Sequence, residues 1–277
     1  MMGGAAGKRD GAFIATKEHR RFVEFAKAVR QHRYIGLCYG PAGVGKTLSA
    51  RRYAHWDDAE AVIGNRDLSA EEHAAAEELL ARSRTVFHTP AVLGTMRDIR
   101  DTMANSLVVV SLCIERHLRR EGVELRRKDR DRLVEMIIVD EAERLQTSAL
   151  ELLRDIFDRT GMGLVLIGMP GMEKRLSRYP QLYSRVGFAH HYRPLQGDEL
   201  TFVLTRHWRR LGLAAPDDAD FTDAQAVASI ARITGGNFRL LHRLFVQIGR
   251  ILKINGLSVV TDDVVEAARS TLVIGAT

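Results

Sequence analysis

Short apolar runs alternate along this chain with longer stretches in which apolar residues recur every three or four positions. Tyr34–Tyr39, Thr85–Thr89, Leu133–Val139, Leu164–Gly168 and Ala189–Tyr192 read as strands. The third run, apart from Glu135, and the fourth are continuously apolar, which predicts central strands of a parallel sheet covered on both faces. From Lys17, Phe22, Phe25, Ala26 and Val29 keep helical spacing. Thr95 and Asp98 form a capping-box pattern, and Ile99, Met103, Leu107, Val110, Ile114 and Leu118 then make one helical stripe. The run Val108–Val110 argues for a strand, but the length of the stripe favours the helix. Leu150, Leu153 and Phe157 mark a helix that stops at Gly161. The acidic segment from Asp57 to Arg84 predicts an exposed helix in an insertion. Beyond Leu195 only helices are expected: Asp198–Leu211, Asp223–Ile233, Asn237–Ile254 and Asp262–Thr271. The predicted fold class is therefore α/β, a parallel sheet flanked by helices and followed by a small all-helical domain. The expected divisions are a disordered tail over 1–16, an α/β domain over 17–196 and a helical domain over 197–277.

One stretch carries chemistry on its face. Gly40-Pro41-Ala42-Gly43-Val44-Gly45-Lys46-Thr47 satisfies G-x-x-x-x-G-K-[ST], between a predicted strand and the helix that begins around Leu48. Such a loop turns backbone N–H groups towards phosphate oxygens, and the helix N-terminus adds its positive end. Lys46 is placed for the β- and γ-phosphates of ATP and Thr47 for Mg²⁺. The third strand ends in Asp140-Glu141. Asp140 is expected to hold the Mg²⁺ shell and Glu141 to act as the base that orients and polarises the attacking water. In a parallel sheet both motifs sit at carboxyl ends of strands, where ligands bind. Charge developing on the γ-phosphate calls for a further cation. Arg185 and Arg239 are candidates, though residue physics alone does not select them among 41 Lys and Arg.

Charge changes the picture modestly. The 277 residues carry a formal net charge of +6, with a pI near 9.5, which leans towards a polyanionic partner besides ATP. Arg116–Arg132 is the most basic segment, with eight basic residues against four acidic. It is either a solvated helix end or a surface that tracks phosphates. The two cysteines, Cys38 and Cys113, form no metal or disulfide pattern, and the ten histidines show no ligand spacing. His190 and His191 are adjacent and face opposite ways in a strand. With no apolar signal core and no apolar run long enough to span a bilayer, a cytoplasmic setting without membrane contact is expected.

These residues resemble the AAA+ ATPases. The resemblance runs from about Lys17 onward: the phosphate loop, Asp140-Glu141, and a helical lid with Gly235-Gly236-Asn237-Phe238-Arg239, similar to the family's sensor-2 motif. It implies that Arg239 contacts the γ-phosphate. It also implies that Arg185, or nearby Arg175 or Arg178, acts as an arginine finger in a neighbouring copy, so that the active form is a homo-oligomeric ring or filament. Leu166–Met172 and Arg178–Leu182 resemble the ATPase regulators of DNA transposition (TnsC-, TniB- and MuB-like). That implies ATP-dependent assembly on duplex DNA without sequence preference, target selection, and recruitment of a transposase. Arg97, Arg100, Arg119, Arg120, Arg126, Arg127, Lys128 and Arg130 are the candidate DNA contacts. Helicase loaders or replication initiators, and ExeA-like secretion ATPases, share the motifs and stand as alternatives. One departure bears on water positioning: where the family carries a polar residue at the end of the fourth strand, this chain has Gly168 and Met169.

Overall fold

Strands β1 (Ile35–Tyr39), β2 (Thr85–His88), β3 (Met136–Val139), β4 (Gly163–Gly168) and β5 (Val186–His191) form one parallel sheet in the order β2-β3-β4-β1-β5. The structure, a computed structural model, describes residues 13–64, 67–92, 94–130, 132–212 and 221–272. Every residue of β3 and β4 is buried, as expected of strands covered on both faces. Edge strand β5 alternates half-buried and exposed residues. It begins three residues earlier than the sequence pattern suggests. Gly187 breaks the apolar run there, yet it has to be small, because a Cβ would lie 2.5 Å from Cδ2 of Tyr34.

Helix α1 (Lys17–His32) starts at Thr16, whose hydroxyl accepts from His19 N, and lays Phe22, Phe25, Ala26 and Val29 over β1, β4 and β5. The approach is close: a Cβ on Gly36 would sit 2.5 Å from Val29 Cγ2 and 2.7 Å from Phe25 Cζ. Helix α2 (Lys46–Ala54) leaves the carboxyl end of β1, and α3 (Trp56–Ile63) follows. Helix α4 (Ala70–Ser83) corrects the expectation of an exposed insertion. It packs on α5 (Met96–Arg120) with Ala76, Leu80 and Ser83 buried, and its Glu77 is buried too. Arg120 pairs with that carboxylate, and Arg116 stands 3.6 Å from it. An acidic helix can be buried here because its charge is met by arginines some 40 residues downstream in sequence (43 for Arg120). The capping box at Thr95 is present with Asp98, the Ile99-to-Ile114 stripe is helical throughout, and a one-turn α6 (Arg127–Arg130) follows.

After β3 come a 3-10 turn over Ala142–Arg144 and α7 (Thr147–Thr160), which ends at Gly161 with φ 63°. Short helices α8 (Met172–Leu176) and α9 (Pro180–Tyr183) lead to β5. Beyond the sheet, α10 (Gly197–Arg210), α11 (Phe221–Thr234), α12 (Phe238–Asn255) and α13 (Asp262–Ser270) enclose a second apolar cluster that includes Trp208, Leu241, Phe245 and Ile248. Of the tail expected to be disordered, residues 1–12 lie outside the described residues. Ile14 is buried in this second cluster, so the segment just before α1 ties the helical part to the sheet.

Gly36→Ala should lower the denaturation midpoint measured by urea titration, because the added methyl has no room between β1 and α1. Overpacking of this kind costs about 1–3 kcal/mol.

Candidate functional site

The loop between β1 and α2 owes its shape to its glycines. Gly43 has φ 79° and Gly45 φ 110°, a region that side chains disfavour. Gly40 N donates to Gly168 O at 3.3 Å, fixing the loop to the end of β4. Val44 is buried and anchors the turn. Lys46 curls back, its ammonium donating to Gly40 O at 2.5 Å and Pro41 O at 2.7 Å. Burial lowers its pKa, an effect that the nearby charges of Asp140 and Glu143 oppose.

The two distant motifs meet. Thr47 Oγ1 donates to Asp140 Oδ2 at 2.6 Å across 93 residues of sequence. The other carboxylate oxygen, Oδ1, accepts from Glu141 N at 2.9 Å. Asp140 is buried, and burial pushes its carboxyl above the ordinary carboxylate range. Two hard oxygens side by side at the mouth of a phosphate loop suit Mg²⁺, which keeps several waters and takes its remaining ligands from phosphates. The described residues offer no group of three or more His, Cys, Asp or Glu that could hold a metal ion by themselves.

Glu141 has φ 50°, an uncommon conformation outside glycine, which turns the chain sharply after β3. Its carboxylate is ion-paired with Arg144, which also donates to Pro90 O at 3.2 Å.

Residues 29–176 match the AAA domain family. The chain belongs to the AAA domain family. A Staphylococcus aureus protein described as a potential ATP-binding protein is 42% identical over 270 residues, covering 95% of this chain and 97% of its own. The Thermotoga maritima RuvB Holliday junction branch migration motor has a similar fold, with a TM-score of 0.55 and 18% identity over 92% of this chain and 69% of its own. The Aeropyrum pernix ORC2 protein gives 0.54 and 16% over 95% and 70%. The fold, the helical part included, is thus the AAA+ P-loop fold.

In this AAA protein the helical part, the lid of the fold, leans directly on the phosphate loop. Asn237 caps α12 by accepting from Arg239 N and Leu240 N at 3.1 and 3.2 Å. Its amide also donates to Ala42 O at 2.7 Å, and Arg239 N donates to Gly43 O at 3.0 Å. A Cβ on Gly43 would lie 2.6 Å from Asn237 Oδ1, so the glycine makes room for the lid as well as for the turn. Arg239 is exposed and close enough for its charge to act on Lys46. Sequence reasoning marked Arg239 but missed Asn237. A helix-capping asparagine after two glycines was the available signal.

The other expected residues lie elsewhere. Arg185 holds Asp158 at 2.6 and 3.0 Å, away from its own loop. Arg175 donates to Glu143 O at 2.5 Å and to Leu145 O, which ties it to the turn after β3. Arg178 is exposed. Among the DNA candidates, Arg97 and Arg100 stand 3.6 and 3.3 Å from Asp101, and Arg119 and Arg130 share Glu115 at 2.9 and 3.3 Å. Arg120 is committed to buried Glu77 and holds α5 to α4. Arg126 is exposed, and the side chains of Arg127 and Lys128 lie outside the described residues. Half-buried His190 neighbours Glu18 while His191 faces out, a structural pair. No helix among the described residues is long and apolar enough to cross a membrane.

Asp140→Asn should remove Mg²⁺ dependence from nucleotide binding without lowering thermal stability at pH 7. Folding raises the Asp140 pKa, so the stabilisation this group gives at low pH is lost as pH rises through that raised value. The variant's advantage in melting temperature should therefore be larger at pH 7 than at pH 4, as read by thermal melts at both.

Proposed function

We propose that this AAA protein is an ATP-dependent DNA-binding regulator of transposition. With ATP it assembles on duplex DNA, marks a target and recruits a transposase; hydrolysis dissolves the assembly. The observation that carries the ATPase part is the 2.6 Å contact between Thr47 and Asp140 at the mouth of the phosphate loop. The transposition part rests on the resemblance of Leu166–Met172 and Arg178–Leu182 to the ATPase regulators of transposition. A loader or initiator role is the second reading, favoured by the fold shared with RuvB and ORC2.

In this reading Lys46 leaves the loop carbonyls and neutralises the β- and γ-phosphates, while the N–H groups from Gly43 to Leu48 cradle them. Thr47 and Asp140 would hold Mg²⁺, which when bound would neutralise charge on the phosphates. Glu141 breaks from Arg144 and takes a proton from the attacking water. Arg239 closes on the γ-phosphate from the lid. Arg185 releases Asp158 and completes the site of an adjacent copy, which makes assembly and turnover interdependent. The backbone phosphates of DNA are met by exposed arginines of α5 and of the loop after it, giving affinity without sequence preference.

Lys46→Ala should abolish ATP binding and DNA-dependent assembly, read by nucleotide titration and light scattering. Glu141→Gln should keep both and lower turnover about 10²–10⁴-fold. Normal turnover in that variant removes Glu141 as the base. Duplex binding should require ATP and weaken steeply with salt, its log–log slope close to −0.9 per phosphate contacted. Binding that is absent or indifferent to ATP overturns the transposition reading. ATP-dependent capture of a replicative helicase in place of a transposase selects the second reading.

A further inference from the structure

The end of β4 lacks the polar side chain that resembling ATPases place there, and the structure puts another group in that space. Gly168 is not in the left-handed region, so its backbone conformation does not demand glycine. What demands it is room. A Cβ on Gly168 would collide with Met172 Sδ and lie 2.9 Å from Glu143 Oε2. The Met172 thioether and the carboxylate of Glu143 therefore share the place that a side chain at position 168 would fill, and of the two only Glu143 is polar.

Three further observations give that carboxylate a task. Its backbone is held rigidly: Arg175 donates to Glu143 O at 2.5 Å and to Leu145 O, and Ala142 and Leu145 on either side are buried. The side chain itself is exposed, and among the described residues it forms no hydrogen bond or ion pair, unlike that of Glu141, which Arg144 holds. Its charge also reaches the Lys46 ammonium, and β4 ends against the start of the phosphate loop through Gly40 N and Gly168 O. A rigidly mounted, unpartnered carboxylate facing the phosphate lysine is suited to hold a water by accepting one of its hydrogens.

Building on the ATPase reading above, we propose that Glu143 is a second water-orienting carboxylate, taking over the role of the side chain that β4 lacks. The water oxygen attacks the γ-phosphorus and the bond from phosphorus to the β–γ bridging oxygen breaks. One water proton passes to Glu141. Glu143 accepts a hydrogen bond from the other O–H and stays unprotonated. The negative charge it adds is offset by Lys46 and by the N-terminus of α2.

The test uses the full chain, with steady-state ATP turnover and the Kd for ATP measured side by side. Glu143→Ala should lower kcat about 10–100-fold and leave the ATP Kd within about twofold, the signature of an interaction made on the way to the transition state. Glu143→Gln, whose amide oxygen still accepts a hydrogen bond, should lose less. Gly168→Asn alone should slow turnover by displacing Glu143. Combined with Glu143→Ala, it should run at least about fivefold faster than Glu143→Ala alone, a rescue that a merely structural residue would not permit. The proposal is overturned if Glu143→Ala turns over at the wild-type rate, or if its kcat and Kd worsen together. It is equally overturned if the double variant melts normally yet is no faster than Glu143→Ala. Because position 143 is exposed, the single variant folds and decides the matter even if the double variant does not. A wild-type chain that binds no ATP overturns the ATPase reading itself, whereas ATP binding and turnover with an indifferent Glu143 overturns this inference alone.

Discussion

One contact organises the rest: the hydroxyl of Thr47 on the buried carboxylate of Asp140. It exists only because β1 and β3 both pair with β4 in parallel, so that their carboxyl ends, and the loops leaving them, open on the same side. Parallel pairing in turn needs helical crossovers, which cover both faces of the sheet and make its central strands continuously apolar. Placing a carboxyl there is unfavourable, since burial penalises its charged form; burial penalises the Lys46 ammonium in the same way. Two opposite charges, both made costly by the same dry site, form a receptacle for ligands that bring charges of their own.

Much of this was legible in the sequence, and the reasons are local. A phosphate loop needs glycines where φ is positive, and Gly43 and Gly45 stand at those positions whatever surrounds them. Asp140 was legible because a short apolar run followed by an acid, downstream of a phosphate loop, fits a buried strand meeting its carboxyl end. The long α5 was legible from its capping box and its stripe. What stayed hidden depends on partners remote in sequence. The burial of Glu77 rests on Arg116 and Arg120, and the packing of Ile14 rests on the helical part of the fold. An acidic, alanine-rich helix looks solvated until the arginines that face it are known. Glu143 was hidden for a related reason: only the structure shows that the space beside Gly168 belongs to a residue of another element.

The same geometry explains why two glutamates of one turn stand in different states. Glu141 starts the turn in a left-handed conformation that costs about 1–3 kcal/mol and is maintained by the surrounding structure. That twist swings its carboxylate to Arg144, which also grips Pro90 at the exit of β2. Two residues on, Glu143 is presented towards β4 and the phosphate loop instead. A sharp reversal after β3 thus distributes three acids, Asp140, Glu141 and Glu143, among three directions, with Arg175 clamping the turn from below.

The lid touches the loop through few groups, and their nature matters. Asn237 and the backbone of Arg239 bind the carbonyls of Ala42 and Gly43, not any side chain of the loop. Those carbonyls keep their orientation only while the loop holds the conformation that turns its N–H groups towards phosphate. Loop shape and lid position are consequently one variable. Because α12 begins at this contact and carries Phe245, Ile248 and Leu252 into the second core, the loop is joined directly to the packing of the helical part. The helices behind it are also tied to the α/β part through the segment at Ile14, the backbone pair between Leu195 and Gly236, and Glu199 of α10, whose carboxylate accepts from Lys17 N and from Glu18 N at 3.3 Å. A lid attached at these places, one of them directly on the phosphate loop, is positioned by the loop conformation together with its anchorage to the segment around the start of α1.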